Sequence, residues 1–339
     1  MMRGKILVIL RMRRGMMEKR DAYFDNAKLF LMILVVFGHF LQPFVNDHPL
    51  YDDLYYFIFT FHMPAFILIS GYFAKSGPKP IVSLVKKLLL PYIFFQLLYS
   101  GYYTMIGLQD SFSLDLGIPQ WSLWFLLSLF CWNLLLHLTK RFSVKQVLIG
   151  SIVIAVLVGY FPIFDRYLAI QRTLTFFPYF MVGYVIPKSW IEKLKNFPQK
   201  WVALVLFVSL FLFIQGNDLI NKYWVFGSKP YEDYLSNPLL GGPQRLMFFA
   251  AGLIGIIAFL MLVPKERRFF SNWGKNTLTV YLLHGFLVKG LRALDVDFEI
   301  NSLELLLLFI GSMLLTVLLS SKRVGQWIEK GKQVLQPSL

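Results

Sequence analysis

Apolar runs of about 20 residues recur roughly ten times along this chain, and the charged residues lie almost wholly between them. A helix of this length spans the hydrocarbon core of a bilayer and satisfies its own backbone hydrogen bonds there. Of the 339 residues, 57% are hydrophobic and only 16% are charged, which is more apolar than a soluble core of this size requires. The pattern therefore predicts an all-α fold, a polytopic transmembrane helical bundle.

The charges between the runs predict how the bundle is oriented. The loops on the N-terminal side of the predicted spans hold 26 Lys and Arg, whereas the opposite loops hold 5. By the positive-inside rule, both termini are cytoplasmic, the number of spans is even, and the protein is a multi-pass protein of the cytoplasmic (plasma) membrane. Hydropathy places ten spans near residues 27–45, 54–74, 88–106, 121–138, 147–161, 173–186, 201–215, 244–262, 276–290 and 302–319.

Three segments are expected along the chain. Residues 1–20 carry seven Lys or Arg and are predicted to form a basic cytoplasmic extension, because their apolar patch is too short for a signal-peptide core. Residues 21–322 form the transmembrane domain, and residues 323–339 form a short cytoplasmic tail. Met16 or Met17 is an alternative start.

Nucleic acid and resident metals are not expected partners. The net charge of +15 is divided among short clusters between apolar spans, so it indicates membrane topology rather than a nucleic-acid-binding face. Cys131 is the only cysteine, which leaves no intramolecular disulfide and no thiol cluster for zinc.

The loops on the side opposite the termini are acidic and aromatic. The longest, residues 216–243, contains Tyr223, Trp224, Tyr231 and Tyr234 beside carboxylates. Aromatic rings and carboxylates suit a sugar, which offers apolar C–H faces and many hydroxyl donors. They suit an aromatic belt at the bilayer interface equally well.

Polar residues in the first span indicate a functional site within the membrane. Asp25 and Lys28 lie at its start, and His39 lies well inside it. At about 100° per residue, the eleven steps from Lys28 to His39 return to within about 20° of the same helical face. We therefore expect one polar stripe that runs from the membrane edge to a buried imidazole. An ionisable group in hydrocarbon is costly, and here the stripe favours a functional role over a simple interhelical hydrogen bond.

Three further histidines fall within predicted spans. His39 and His62 are predicted to lie at the same depth, on helices that a short loop joins. His284 is placed near the middle of the membrane, whereas His137 is placed near the cytoplasmic end of its span. The alternative for each is an interhelical hydrogen bond.

Six segments in order carry a resemblance to a known family. They are D-x-x-K-x(10)-H from Asp25 to His39, FHMPAFILISGYF at 61–73, the basic pair before Pro91, SLWFLLSLF at 122–130, RTLTFFPYFMVGY at 172–184 and GKNTLTVYLLHGF at 274–286. Together they resemble the acyltransferase 3 superfamily of integral membrane O-acyltransferases, and in particular its fucose 4-O-acetylase-like branch. The resemblance implies a ten-helix bundle that transfers an acyl group, most often acetyl, from cytoplasmic acyl-CoA to a hydroxyl of a sugar or cell-surface glycan.

The resemblance also implies roles for particular residues. His39 is expected to act as general base on the acceptor hydroxyl or to relay the acyl group. Asp25 is expected to hold Lys28 through its i,i+3 placement. Lys28, Lys86 and Lys87 are expected to bind the phosphates of the donor, acetyl-CoA, which is a substrate; no permanently bound cofactor is expected.

Four residues are weaker candidates for orienting the acceptor or stabilising an oxyanion: His62, Arg172, Tyr281 and His284. Each has a structural alternative. Arg172 begins a span and would reach the interface as a snorkelling side chain, and Tyr281 with His284 would pin helices together.

Two other functions compete with the enzyme. A ten-span bundle with buried histidines would also serve a proton-coupled transporter or flippase, or a membrane scaffold or receptor without catalysis.

Overall fold

The structure is a computed structural model, and it describes residues 20–77, 79–162, 167–217, 220–294 and 302–326. Helices, turns and loops make up this part of the chain, which contains no β-strand. Apart from Arg20, the extension predicted at 1–20 lies outside the described residues, as does most of the tail predicted at 323–339. The principal helices are α1 Ala22–Leu41, α2 Pro49–Phe73, α3 Ile81–Met105, α4 Trp124–Leu138, α5 Val144–Leu157, α6 Ile170–Val185, α7 Lys188–Lys195, α8 Lys200–Gln215, α9 Lys222–Phe226, α10 Gly241–Leu262, α11 Thr277–Arg292 and α12 Ser302–Leu319.

Each of the ten predicted spans falls on one of these helices, and α7 and α9 are additions. Among the described residues, five helices are long and apolar enough to cross a membrane, namely α1, α2, α3, α4 and α10. Helices α7 and α8, bent by 97° at their junction, would make a sixth span together. The protein is therefore a multi-pass membrane protein. The total of ten spans and the side of the termini remain predictions.

The short helix α7 is amphipathic and lies almost perpendicular to α8. It buries Ile191 against the bundle and leaves Trp190 exposed. An amphipathic helix at the end of a spanning helix, with an exposed tryptophan and several lysines, is typical of a segment that lies along a bilayer surface.

Helices α2 and α6 cross at two glycines. A Cβ atom added at Gly71 would lie 1.9 Å from the carbonyl oxygen of Phe180, and one added at Gly183 would lie 1.9 Å from the carbonyl oxygen of Leu68. The backbones of the two helices therefore meet without a side chain between them, because small residues let membrane helices approach closely. This crossing fixes α6, with Arg172 at its start, against α2, which carries His62.

Helix α3 contains a π turn, Val85–Leu89, that includes Lys86 and Lys87. Two residues later comes Pro91, whose ring has no N–H and collides with the carbonyl four residues back in a regular α-helix. A wider turn at this point avoids the clash, and π turns of this kind occur frequently at functional sites. The proline thus explains why the two lysines lie on an irregular turn.

The aromatic residues of the 216–243 loop serve mainly to fold it. Trp224 stacks on Phe248 with ring centroids 5.0 Å apart, and Tyr231 packs 5.7 Å from Trp224. Trp224 is 2% exposed and Tyr231 is fully buried. Both side chains are therefore packed inside the fold and are not displayed on the surface of the loop as an interfacial belt would require. The reason is that the loop folds back onto the start of α10.

Candidate active site

The N-terminal end of α1 carries a carboxylate between two cations. Asp25 is only 3% exposed at its side chain, and its oxygens lie 2.9 Å from Nε of Arg20 and 2.9 Å from Nζ of Lys28. The contact between Asp25 and Lys28 is the expected i,i+3 pair. Arg20 was missed, because it lay in the predicted extension and not in the helix. Its position five residues before Asp25 was the signal that could have identified it.

Lys28 lines a cavity of about 570 Å³, which we call the basic cavity. Three other lysines line it, Lys79, Lys86 and Lys87, and none of the described lining residues is a carboxylate. Burial is the main cause that lowers the pKa of Lys79, and the nearby charge of Lys87 adds to it. Four lysine side chains, contributed by α1, α3 and the loop before α3, thus line one cavity. The remaining lining residues are Phe66, Ile69, Ser70, Phe73, Leu84, Leu88, Pro91, Leu129, Asn133 and Leu278.

Sequence reasoning missed Lys79, which lies in the loop before α3 and outside the segments that carried the family resemblance. His137, at the C-terminal end of α4, has Nε2 2.7 Å from the carbonyl oxygen of Lys79. This contact ties the loop to α4, so the hydrogen bond of His137 joins a helix to a loop, whereas the predicted alternative was a bond between two helices.

The polar stripe predicted on α1 is interrupted. Between Lys28 and His39, the positions on the same face are Met32 and Val35, and both are buried in the hydrophobic core. The two polar ends of the helix are present, but the middle is apolar. The prediction of a continuous stripe was therefore wrong, because a helical repeat of 3.6 residues places two apolar side chains on that face.

His39 lines a second cavity of about 110 Å³, which we call the histidine cavity. His62, Arg172 and Tyr281 line the same cavity, so residues from α1, α2, α6 and α11 converge there. The sequence had selected all four without being able to place them together. The other lining residues are Val35, Gln42, Phe59, Met63, Trp121, Ser122, Trp124, Phe176, Val225 and Phe226.

The basic cavity and the histidine cavity have no lining residue in common within the described part of the chain. Phe125 lies between them, with its ring centroid 6.5 Å from that of Phe66 and 5.9 Å from that of Tyr281. Phe66 lines the first cavity and Tyr281 lines the second. A layer of aromatic rings therefore separates the lysines from His39 in this conformation.

Two groups that surround His39 come from distant parts of the chain. The ring of Trp121 lies 4.3 Å from that of His39, and the ring of His284 lies 5.5 Å from it. Trp121 has φ of 42°, a strained backbone conformation for an aromatic residue, and such strain occurs most often at functional sites. A Cβ atom at Gly285 would lie 2.5 Å from the Trp121 ring, so only glycine there leaves room for it. Sequence reasoning missed Trp121, although it stands directly before the SLWFLLSLF segment.

Hydrogen bonds define the tautomers of two histidines. Nδ1 of His62 lies 2.7 Å from the carbonyl oxygen of Ile58, and Nδ1 of His284 lies 2.9 Å from that of Val280. A carbonyl oxygen only accepts, so both Nδ1 atoms carry the proton and Nε2 of each neutral ring is an acceptor. In the described structure, Nδ1 of His39 and Nε2 of His284 are buried and have no hydrogen-bond partner. Of the two rings, that of His39 lines the histidine cavity, so its Nδ1 is the atom available to a substrate or a water molecule there.

Arg172 lies at the boundary between the histidine cavity and a third cavity of about 410 Å³. Its guanidinium is 5.1 Å from the ring centroid of Trp124 and 5.5 Å from that of Phe226. Gln42 lines both cavities as well, and it accepts a hydrogen bond of 3.1 Å from Arg292. Arg292 also donates to the carbonyl oxygen of His39. We call this third space the aromatic cavity.

The aromatic cavity lies at the opposite end of α1 from the basic cavity, because Gln42 follows the C-terminus of that helix. Its lining residues are Gln42, Ile118, Pro119, Gln120, Trp121, Trp124, Ala169, Arg172, Lys222, Tyr223, Phe226, Ser228 and Lys229. Tyr223 is thus the one aromatic residue of the 216–243 quartet that lines this cavity. Among the described residues, no group of three or more His, Cys, Asp or Glu is arranged to hold a metal ion.

Comparison with known proteins identifies the family of this chain. A profile of the acyltransferase domain of the acyltransferase 3 family matches residues 21–321. Nodulation protein NolL of Sinorhizobium fredii (strain NBRC 101917 / NGR234) is 31% identical over 298 residues, which cover 79% of this chain and 78% of that protein. NolL of Mesorhizobium japonicum (strain LMG 29417 / CECT 9101 / MAFF 303099) is 30% identical over 301 residues, with 79% and 76% covered. No solved structure matches significantly. The chain therefore belongs to the acyltransferase 3 family and is an O-acyltransferase.

Proposed function

We propose that this enzyme transfers an acetyl group from acetyl-CoA, bound at the cytoplasmic face, to a hydroxyl of a sugar or cell-surface glycan on the other side of the plasma membrane. The observation that carries the proposal is the convergence of His39, His62, Arg172 and Tyr281 on one buried cavity. Beside it lies a larger, partly aromatic cavity at one end, and a separate cavity with four lysines lies towards the other end.

The basic cavity supports coenzyme A as the donor. Coenzyme A carries several phosphate charges, and four lysines line this cavity, Lys28, Lys79, Lys86 and Lys87, of which Lys28 is also paired with Asp25. The donor would occupy this cavity with its acyl end towards the layer of rings at Phe125.

Because a layer of rings lies between the two cavities, the proposed mechanism includes a conformational step. The thioester has to reach His39, and the rings of Phe66, Phe125 and Tyr281 separate the two cavities in this structure. We propose that the rings at Phe125 move to join the cavities when the donor is bound. Donor binding and acyl transfer are therefore expected to be separable by substitution, because different residues serve each.

The chemistry at His39 is a single acyl transfer. The imidazole takes the proton from the acceptor hydroxyl, and the hydroxyl oxygen attacks the thioester carbonyl. The C–S bond then breaks, and the imidazolium returns the proton to the departing thiolate of coenzyme A. The products are the acetyl ester and the free thiol, and His39 is regenerated.

The hydrogen bonds and donor groups of the other lining residues indicate which role each can take in the reaction. Nε2 of His62 is an acceptor, because Nδ1 donates to Ile58, so this ring suits a hydroxyl of the acceptor and not an oxyanion. The hydroxyl of Tyr281 donates to the carbonyl oxygen of Ser122. Arg172 has several N–H donors and lies at the cavity boundary, so it is the proposed oxyanion donor among the four candidates.

The test uses membranes that contain the protein, radiolabelled acetyl-CoA and a glycan extract. We expect release of free coenzyme A that depends on the glycan, together with label in the glycan. His39→Ala should lower the rate by at least about a thousandfold, the scale of losing a general base. His48→Asn is the matched control. His48 caps α2 from an exposed position by accepting from the backbone N–H of Leu50 at 3.1 Å, and asparagine is an equally good cap.

A result in which His39→Ala keeps the glycan-dependent rate would disprove the role of this imidazole. A result in which no coenzyme A is released by the wild-type protein with any glycan would disprove the proposed donor and acceptor together.

A further inference from the structure

Helices α2 and α11 each carry lining residues of both the basic cavity and the histidine cavity. On α2, Phe66 lines the basic cavity, and Met63, three residues earlier, lines the histidine cavity. On α11, Leu278 and Tyr281 line the two cavities in the same way. Side chains three residues apart lie on one face of a helix, and their Cα atoms differ in depth by about 4.5 Å. The two cavities are therefore neighbours along one face of each helix.

The end of the histidine cavity that is nearest to the basic cavity is mainly apolar. On α1, Val35 is the residue of the histidine cavity closest along the helix to Lys28, and it lies one turn from His39. Met63 and Tyr281 occupy the corresponding positions on α2 and α11. Val35 is only 4% exposed, and both Val35 and Met63 pack in the largest hydrophobic core. Neither side chain can therefore move aside without disturbing its neighbours.

The histidine cavity is small for a site that has to hold two reacting groups. Its volume of about 110 Å³ corresponds to roughly four water molecules, at about 30 Å³ each. An acetyl group and the attacking hydroxyl oxygen together have about as many non-hydrogen atoms. The basic cavity is much larger, at about 570 Å³, but the carbons of an acyl chain extend from the carbonyl on the side away from the sulfur. The space for the acyl chain is therefore set by the histidine cavity.

We propose that Val35 and Met63 limit the length of the acyl chain that this enzyme transfers, so that acetyl fits and longer linear chains do not. The inference rests on the proposed function, because it concerns the donor of the same reaction. A thioester that enters from the basic cavity passes Val35 and Met63 before its carbonyl reaches His39. The carbons beyond the carbonyl then pack against these two side chains. A chain with two more carbons needs space that they occupy.

The test compares acyl donors on one preparation of each variant, so that a partial loss of folded protein cancels. Glycan-dependent release of coenzyme A is measured in nanodiscs with acetyl-CoA, propionyl-CoA and butyryl-CoA. We expect the wild-type protein to prefer acetyl-CoA to butyryl-CoA by at least about a hundredfold in kcat/KM, the scale of two methylenes that a closed apolar pocket rejects. Met63→Ala and Val35→Ala should each reduce this preference by at least about tenfold, because each removes side-chain atoms from the cavity.

Matched controls remove the same atoms from positions outside the cavity. Met181→Ala shortens a buried methionine of α6, and Val36→Ala shortens the buried valine beside Val35. Neither Met181 nor Val36 lines the histidine cavity. Both controls should keep the wild-type preference for acetyl-CoA, even where they lower the stability of the protein. Transfer of butyryl as fast as acetyl by the wild-type protein would overturn the proposal. An unchanged preference in both Met63→Ala and Val35→Ala would do so as well.

Binding of unreactive donors separates this inference from the proposed function. Ethyl-CoA and butyl-CoA are thioethers that cannot transfer an acyl group, and their binding is measured by titration calorimetry. Butyl-CoA should bind at least about tenfold more tightly to Met63→Ala than to the wild-type protein, whereas the affinity for ethyl-CoA should change by less than about threefold. This result without any transfer by the wild-type protein would contradict the proposed function and leave the limit at Met63 in place. Acetyl transfer together with equal affinity of both proteins for butyl-CoA would do the reverse.

Discussion

The imidazole rings of His39 and His284 stack with centroids 5.5 Å apart and an angle of 30° between their planes. One ring belongs to the first helix and the other to α11, near the end of the matched domain. Trp121 contacts both, at 4.3 Å from His39 and 5.1 Å from His284. His284 does not line the histidine cavity, so its effect on the reaction passes through the His39 ring that it supports. We therefore treat His284 as a positioning residue.

Replacing His284 tests that role. His284→Ala should lower kcat by about a hundredfold, the scale of a reacting group displaced by about 1 Å, and leave KM for acetyl-CoA within about twofold. His284→Asn, which retains a donor for the carbonyl of Val280, should recover part of the rate. Steady-state release of coenzyme A in nanodiscs measures both constants. A rise in KM that accounts for the whole loss would show that His284 acts on donor binding instead.

The lysines of the basic cavity should affect the donor alone. Lys79→Gln and Lys87→Gln are each expected to raise KM for acetyl-CoA by about three- to tenfold with little change in kcat, because each removes one charge from the site of the phosphates. KM for the glycan should not change. Lys188→Gln, exposed on α7, is the matched control in the same kinetic measurement. Equal effects of the control and the cavity variants would indicate a general loss of surface charge rather than a donor site.

The glycine crossing of α2 and α6 should be intolerant of a single methyl group. Gly71→Ala places Cβ 1.9 Å from the carbonyl oxygen of Phe180, so the helices have to separate. We expect a loss of about 2–4 kcal/mol in the free energy of unfolding, measured by denaturant or heat in detergent. Gly101→Ala and Gly150→Ala are the controls, because a Cβ there meets no atom within 4 Å. Those two variants should be neutral or slightly stabilised, since alanine favours helices. Similar losses for all three variants would contradict the crossing.

The charge arrangement at the start of α1 predicts a non-additive pair of substitutions. Asp25→Asn leaves the cations of Arg20 and Lys28 beside each other, and it should cost about 1–3 kcal/mol, less than a fully buried pair because Arg20 is 53% exposed. Arg20→Gln alone should cost less than about 1 kcal/mol. The double variant should be more stable than Asp25→Asn, because the repulsion is removed. Additive losses in thermal unfolding would show that Asp25 does not pair with Arg20.

Local sequence was sufficient for several features of the site. The i,i+3 spacing of Asp25 and Lys28 predicts their ion pair, and the structure contains it at 2.9 Å. The small size of Gly71 and Gly183 predicts a close helix contact, and both glycines touch the opposite backbone. These features depend only on the geometry of one helix or on the absence of a side chain. The sequence contains that information directly.

Other features depended on packing between distant segments. Trp224 and Tyr231 are suitable for binding sugar or for an interfacial belt, and they are buried instead because their loop folds onto α10. The face of α1 between Lys28 and His39 suggested an open stripe. Phe125, from α4, lies between the cavities at the two ends of that face, and no property of α1 alone predicts it.

The sequence by itself determined the membrane helices, their approximate bounds and the ionisable residues that they carry, because hydrophobic length and the cost of a charge in hydrocarbon are properties of the local chain. The tertiary structure decided which of those residues meet. His39, His62, Arg172 and Tyr281 share one cavity because four helices pack around it, and the Lys79 loop completes the basic cavity from another segment. A helical repeat defines the faces of each helix, whereas the choice of neighbouring helix depends on complementary packing across the whole bundle.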